Sequence, residues 1–177
     1  TASPKYSSSK LQHSPMYLFE AEVRSFLLRE GLQEFLTCDL IGPTSLDVVG
    51  GPNMANERVV KVLNPTSIEQ SILRTSLLPG LLQAVKYNID HQNHDVSCFE
   101  IGRIHFKEED KYKEQSLASI LLTGKRAQQN WSKYPENVDF YDLKGIIENL
   151  LQEIGVQDYE FKVSSFKTFH DARQASI

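Results

Sequence analysis

The sequence predicts an α+β fold, with an antiparallel or mixed sheet flanked by helices. Three observations carry this expectation. Stretches with helical period, each with its own start and stop signals, are interspersed with strand-prone runs. Two long strand-prone runs, over 96–106 and 117–123, follow one another without a helical crossover, which favours antiparallel pairing. Of the 177 residues, 40% are hydrophobic, enough to fill the core of one ordinary domain.

Residues 1–13 are polar and serine-rich and read as a linker or disordered segment. Residues 14–177 read as the core domain, expected to be incomplete at its C-terminal end. Ser14 followed by Pro15 is a helix start, a serine cap with proline in the first turn. Phe19, Val23, Phe26 and Leu27 then keep the helical spacing, and Gly31 is placed to stop it. Residues 35–41 are β-prone and close at Gly42 and Pro43. The run Gly50, Gly51, Pro52, Asn53 predicts a loop. Residues 59–63 predict a strand ended by Asn64 and Pro65, since proline cannot donate to a ladder.

Ser67 and Gln70 have the spacing of a capping box and predict a helical turn. Residues 77–90 predict a helix with Pro79 in its first turn and Leu78, Leu81, Leu82 and Val85 on one side. After the two long strands, residues 139–154 form the clearest helix. It has an acidic start, apolar residues at Phe140, Leu143, Ile147, Leu150, Leu151 and Ile154, and Gly155 as a stop. Short strands are expected over 159–163 and 167–169.

The formal charge is −4 and the pI about 5.7, which argues against a free-standing nucleic-acid binder with a basic stripe. Cys38 and Cys98 sit in apolar, strand-like runs, as small buried hydrophobes of a reducing compartment do. No apolar run reaches the roughly 20 residues that a bilayer span needs, and the polar opening is no secretory signal. A cytoplasmic protein without membrane contact is expected.

Gly-rich phosphate loops and zinc spacings are absent. His91 and His94 share a helix face, but lie where the helix gives way to a polar turn and read as solvated. Glu108, Glu109 and Asp110, among Lys107, Lys111 and Lys113, read as a charged hairpin tip rather than a magnesium site. His170 and Asp171 lie near serines without a nucleophile elbow. Lys125 and Arg126, with Trp131 and Tyr134 nearby, mix basic and aromatic groups and are candidates for tRNA contact.

Four stretches in order resemble the class II aminoacyl-tRNA synthetase core. FLLREGLQEFLT over 26–37 looks like motif 1, a helix running through a glycine into a strand. Asn64 and Pro65, followed by LRTSLLPGLL over 73–82 with Arg74 and Pro79, closely resemble the bacterial phenylalanyl-tRNA synthetase β subunit. CFEIGRIHF over 98–106, with Glu100 and Arg103, looks like the first strand of motif 2. VDFYDLKG over 138–145 also fits the β-subunit pattern. The resemblance covers roughly residues 15–177.

The resemblance implies that motif 1 builds a subunit interface, which makes Phe19, Val23, Phe26 and Leu27 interface candidates, or core. It implies a catalytic α subunit as partner in an (αβ)2 assembly that charges tRNA-Phe, with ATP and magnesium held by that subunit and no cofactor held by this chain. Active class II enzymes place an arginine on the motif 2 strand, whose planar fork holds the ATP α-phosphate. Here that position is Phe106, which cannot donate such bonds, and Lys107 points to the opposite strand face. The expected role is therefore non-catalytic, with Arg74 and Arg103 in structural ion pairs to Glu100. Two alternatives make different predictions. An active synthetase core would bind ATP alone, and an unrelated α+β interaction domain would have no affinity for an α subunit.

Overall fold

The computed structural model describes residues 12–46, 58–127, 130–132, 134–166, 168–170 and 173–177. Most of the N-terminal segment, the expected loop over 50–53, Lys167 and Asp171 lie outside them. Helix α1 spans Pro15–Arg29, and the Ser14 side chain accepts from the Tyr17 N–H at 3.2 Å. Gly31, at φ 83°, ends it in a left-handed conformation that side-chain-bearing residues resist. The turn sends Leu32 into the core.

Strand β1 (Gln33–Glu34) then runs parallel to β4 (Val96–Glu108), with Gln33 opposite Cys98 and Glu34 opposite Phe99. Strand β5 (Lys111–Thr123) pairs antiparallel with the whole of β4, from Val96 opposite Thr123 to Glu108 opposite Lys111. The sheet order is β1-β4-β5, a mixed sheet as expected. Glu109 and Asp110, both at positive φ, make the two-residue turn whose twist suits a hairpin. β5 begins six residues before its expected start. Its first residues are polar, and cross-strand pairing overrides their weak strand propensity.

Helices cover both faces. On one, α1 and α3 (Phe140–Glu153) close over a cluster of Val23, Phe26, Leu27, Leu32 and Phe99, with Ile120, Ile146, Leu150 and Ile154 packed against it. On the other, α2 (Leu78–Asp90) brings Leu81 and Val85 against Val96 and Cys98. The alternation of side chains along β4 is what lets Cys98 and Phe99 serve opposite layers. A third cluster, Ile41, Leu46, Val59 and Ile72, sits under the small antiparallel ribbon of β2 (Leu40–Ile41) and β3 (Ile72–Leu73). The α3 start is a full capping box, Asp139 with Asp142, and Gly155 ends it at φ 83°. No helix among the described residues is long and apolar enough to cross a membrane.

Several local expectations differ from the structure. The run 35–41 forms ladder only at its end, as β2. The Thr37 N–H is taken at 3.1 Å by the Glu100 carboxylate instead of a strand neighbour. Residues 59–63 make a single bridge, Lys61 to Ile72, and Leu63 is exposed as the chain bends into Asn64 and Pro65. The turn at Ile68–Gln70 is a 3-10 turn without a Ser67 side-chain cap. Gln70 N–H bonds the Ser67 carbonyl instead. In the C-terminal part, β6 (Lys162–Val163) pairs with β7 (Ala175–Ser176), not with 167–169. There the Phe169 N–H turns back on the Phe166 carbonyl.

Candidate functional site

Along the outer edge of β4, β1 stops pairing at Phe99 and the next main-chain partner is Arg74, whose carbonyl accepts from the His105 N–H at 2.9 Å. The Arg74 side chain fills the gap between them. Its Nε donates to the Arg103 carbonyl at 2.8 Å, Nη1 to Glu100 at 2.7 Å and to Thr37 Oγ1 at 3.1 Å, and Nη2 meets Asp39 at 2.8 Å. Glu100 in turn accepts the Thr37 hydroxyl at 2.8 Å. Arg74 and Glu100 are buried, and a planar guanidinium suits such a multi-point role. A Cβ on Gly102 would sit 2.5 Å from Arg74 Nη2, so the strand must carry glycine where the guanidinium lies across it.

This arrangement gives Arg74 its structural role and corrects the expectation for Arg103. Arg103 pairs with Glu114 at 2.7 Å and is exposed. Glu100 and Arg103 are three residues apart on one strand, so they point to opposite faces. Only the Arg103 carbonyl touches the cluster. Pro79 is buried in the first turn of α2, while Asn64 and Pro65 are exposed. All three guanidinium nitrogens of Arg74 are thus engaged by groups of the chain itself. The same burial, with the Glu100 charge adding to it, pushes the Cys98 thiol up to about 11.

Phe106 is partly buried, with the Arg58 guanidinium 5.6 Å above its ring. Arg58 also pairs with Glu108 at 2.9 Å, and Lys107 with Asp110 at 2.6 Å. The residues here do not fit an ATP α-phosphate. The ring donates nothing, and both nearby cations already face carboxylates.

Of the four interface candidates, Val23, Phe26 and Leu27 lie in the core of the chain itself, whereas Phe19 is 45% exposed. Phe19 falls on the first half of α1, ahead of the stretch that α3 and the sheet cover, beside the exposed Met16. Arg126 binds Glu136 at 2.7 Å, Asp139 at 3.2 Å and Asp142 at 2.9 Å, which raises its pKa, the Asp142 hydrogen bond foremost. It ties the loop after β5 to the start of α3. Lys125 closes the same neck by a main-chain bridge to Asn137. Trp131 and Tyr134 stand exposed beyond it. His91 caps α2, with Nδ1 2.7 Å from the Tyr87 carbonyl.

Sequence reasoning missed Thr37, Asp39, Arg58 and Glu114 as partners. Only the register of β4 against β5 would have suggested Glu114. The other three reach their partners over 35 or more residues of sequence and leave no periodic signal.

The family model described as the phenylalanyl tRNA synthetase beta chain CLM domain matches residues 1–177. The chain is 61% identical over 173 residues to a phenylalanine–tRNA ligase beta subunit of Protochlamydia amoebophila, covering 98% of this chain and 22% of that protein. It is 36% identical over 167 residues to the corresponding subunit of Carboxydothermus hydrogenoformans, covering 93% and 21%. The chain thus spans about a fifth of the length of these relatives. A solved structure of a pyrrolysyl tRNA synthetase from Desulfitobacterium hafniense superposes with a TM-score of 0.63 at 17% identity, over 85% of this chain and 49% of that one. That likeness shows the fold.

Proposed function

Because the chain belongs to the phenylalanyl-tRNA synthetase β-chain family, we propose that it is a non-catalytic, synthetase-like module that supports ATP-dependent attachment of phenylalanine to tRNA-Phe by packing against a catalytic α subunit. The observation that carries the non-catalytic part is Phe106, where an active enzyme of this fold holds its phosphate-binding arginine, lying under Arg58. Function here follows the site rather than the fold. ATP and magnesium belong, on this reading, to the α subunit.

The association is supported by the exposed first half of α1, where Met16 and Phe19 stand out of the core. Large apolar side chains grouped on a helix face are typical of a surface that another protein covers. Arg126 receives a structural role on this reading, since its charge is met by three carboxylates, and no RNA contact is assigned to it.

The test is to mix the full-length gene product with separately purified α subunit and measure mass by light scattering on a sizing column. A stoichiometric αβ or (αβ)2 species that Phe19→Asp weakens supports the reading. Separate peaks from folded wild-type proteins contradict it.

A further inference from the structure

A groove of about 530 Å3 runs between the first half of α1 and the hairpin of β4 and β5. Met16, Phe19 and Val23 line one side, and Ile101 and Ala118 the other. A polar pocket of about 300 Å3 continues from it towards Asp39 and His105, with Glu20, Ile101, Arg103 and Glu114 common to both. The groove is therefore apolar at one end and charged at the other, and Glu20 stands where the two meet.

The cations around it are already matched. Arg103 pairs with Glu114, Arg74 with Asp39 and Glu100, and Arg24, one turn along from Glu20, with Glu34 at 2.7 Å. Glu20 differs. Among the described residues it accepts one hydrogen bond, from the Ser116 hydroxyl at 2.9 Å, and has no cationic partner. The bond fixes the carboxylate at the mouth of an apolar groove, where a counter-charge is worth more than in open water.

We propose that the groove receives an apolar segment of the partner subunit bearing one lysine or arginine, with its apolar side chains against Met16 and Phe19 and its cation on Glu20. This rests on the reading that the chain associates with a catalytic subunit, and it adds the chemistry that the partner must present. Nucleic acid is disfavoured, because an apolar groove with an unmatched carboxylate repels a phosphate backbone. A second copy docking symmetrically is disfavoured too. In a two-fold contact Glu20 would need a cation from the same surface of the other copy, and the cations beside the groove are already paired.

The test titrates full-length gene product with α subunit at several salt concentrations, for wild type, Glu20→Gln, Glu20→Lys and Ser116→Ala. Circular dichroism melts serve as the fold control. Glu20→Gln is expected to weaken binding about threefold to tenfold and to flatten its salt dependence. Glu20→Lys is expected to weaken it further, and Ser116→Ala to act in the same direction more mildly. Glu20 variants that bind like wild type, with an unchanged salt slope, would overturn the inference. Self-association of the β chain that Glu20→Lys abolishes would overturn it in favour of a second copy. Failure of wild type to bind at all would instead defeat the parent reading.

Discussion

Arg74 Nη1 and Glu100 Oε1 lie 2.7 Å apart, with side chains only 5% and 2% exposed. Removing Arg74 leaves the buried Glu100 without a cation, and removing Glu100 leaves the buried Arg74 with only the exposed Asp39 as counter-charge. Arg74→Met or Glu100→Leu alone is therefore expected to destabilise the chain by about 3–5 kcal/mol. The double substitution should recover much of that loss, because packed apolar groups replace both charges. Urea denaturation of the four proteins measures the coupling, and additive losses would show that the two groups do not act together.

Gly102 lies under the same guanidinium. A methyl group there would come within 2.5 Å of Arg74 Nη2 and 3.1 Å of Leu77 Cδ2. Arg74 is pinned on every nitrogen and cannot swing aside cheaply. Gly102→Ala is expected to lose about 1–3 kcal/mol as an overpacked site. Gly145, with nothing within 4 Å of an added Cβ, should tolerate alanine and gain helix propensity of up to about 1 kcal/mol. Thermal melts of the two variants should therefore move in opposite directions.

How far these relations were legible in the sequence depends on their range. The helix ends were legible because caps are local. Ser14 with Pro15, Gly31, Pro79, Asp139 and Gly155 each act within a turn of the boundary they set. The pairings between separate segments were less so. The run over 35–41 has the composition of a strand, yet Thr37 turns its N–H to Glu100, 63 residues away. Residues 59–63 likewise look like a strand but find one bridge only. For Arg103, the identity of the strand was enough to exclude Glu100 by parity, but naming Glu114 required the hairpin register.

Asp142 sets a pH dependence at the neck of the loop after β5. The Asp139 N–H first, and then Arg126, hold its carboxyl below the ordinary 3.8. A depressed folded value means the contribution is fully present above the ordinary value and is lost as pH falls through the lower one. The loop should therefore stay closed at neutral pH and open only on strong acidification. Carboxyl titration by NMR should place Asp142 below an exposed aspartate, and Arg126→Ala should move it back up.

The two cysteines should separate by reactivity. Cys98 is buried with its thiol pushed up to about 11, whereas Cys38 is exposed. At mildly alkaline pH a thiol reagent should modify Cys38 quickly and Cys98 only on denaturation, since the thiolate is the reactive form. Cys38→Ser should abolish the fast phase. A fast phase that persists would contradict the burial of Cys98.

On the proposed reading this chain contributes by association and not by chemistry. The deciding measurement is phenylalanine-dependent exchange of pyrophosphate into ATP, with the full-length gene product measured alone and then with the α subunit. On this reading the β chain alone gives no exchange above background and the complex gives robust exchange. Exchange by the β chain alone, carried out with Phe106 in place of the phosphate-binding arginine, would contradict it.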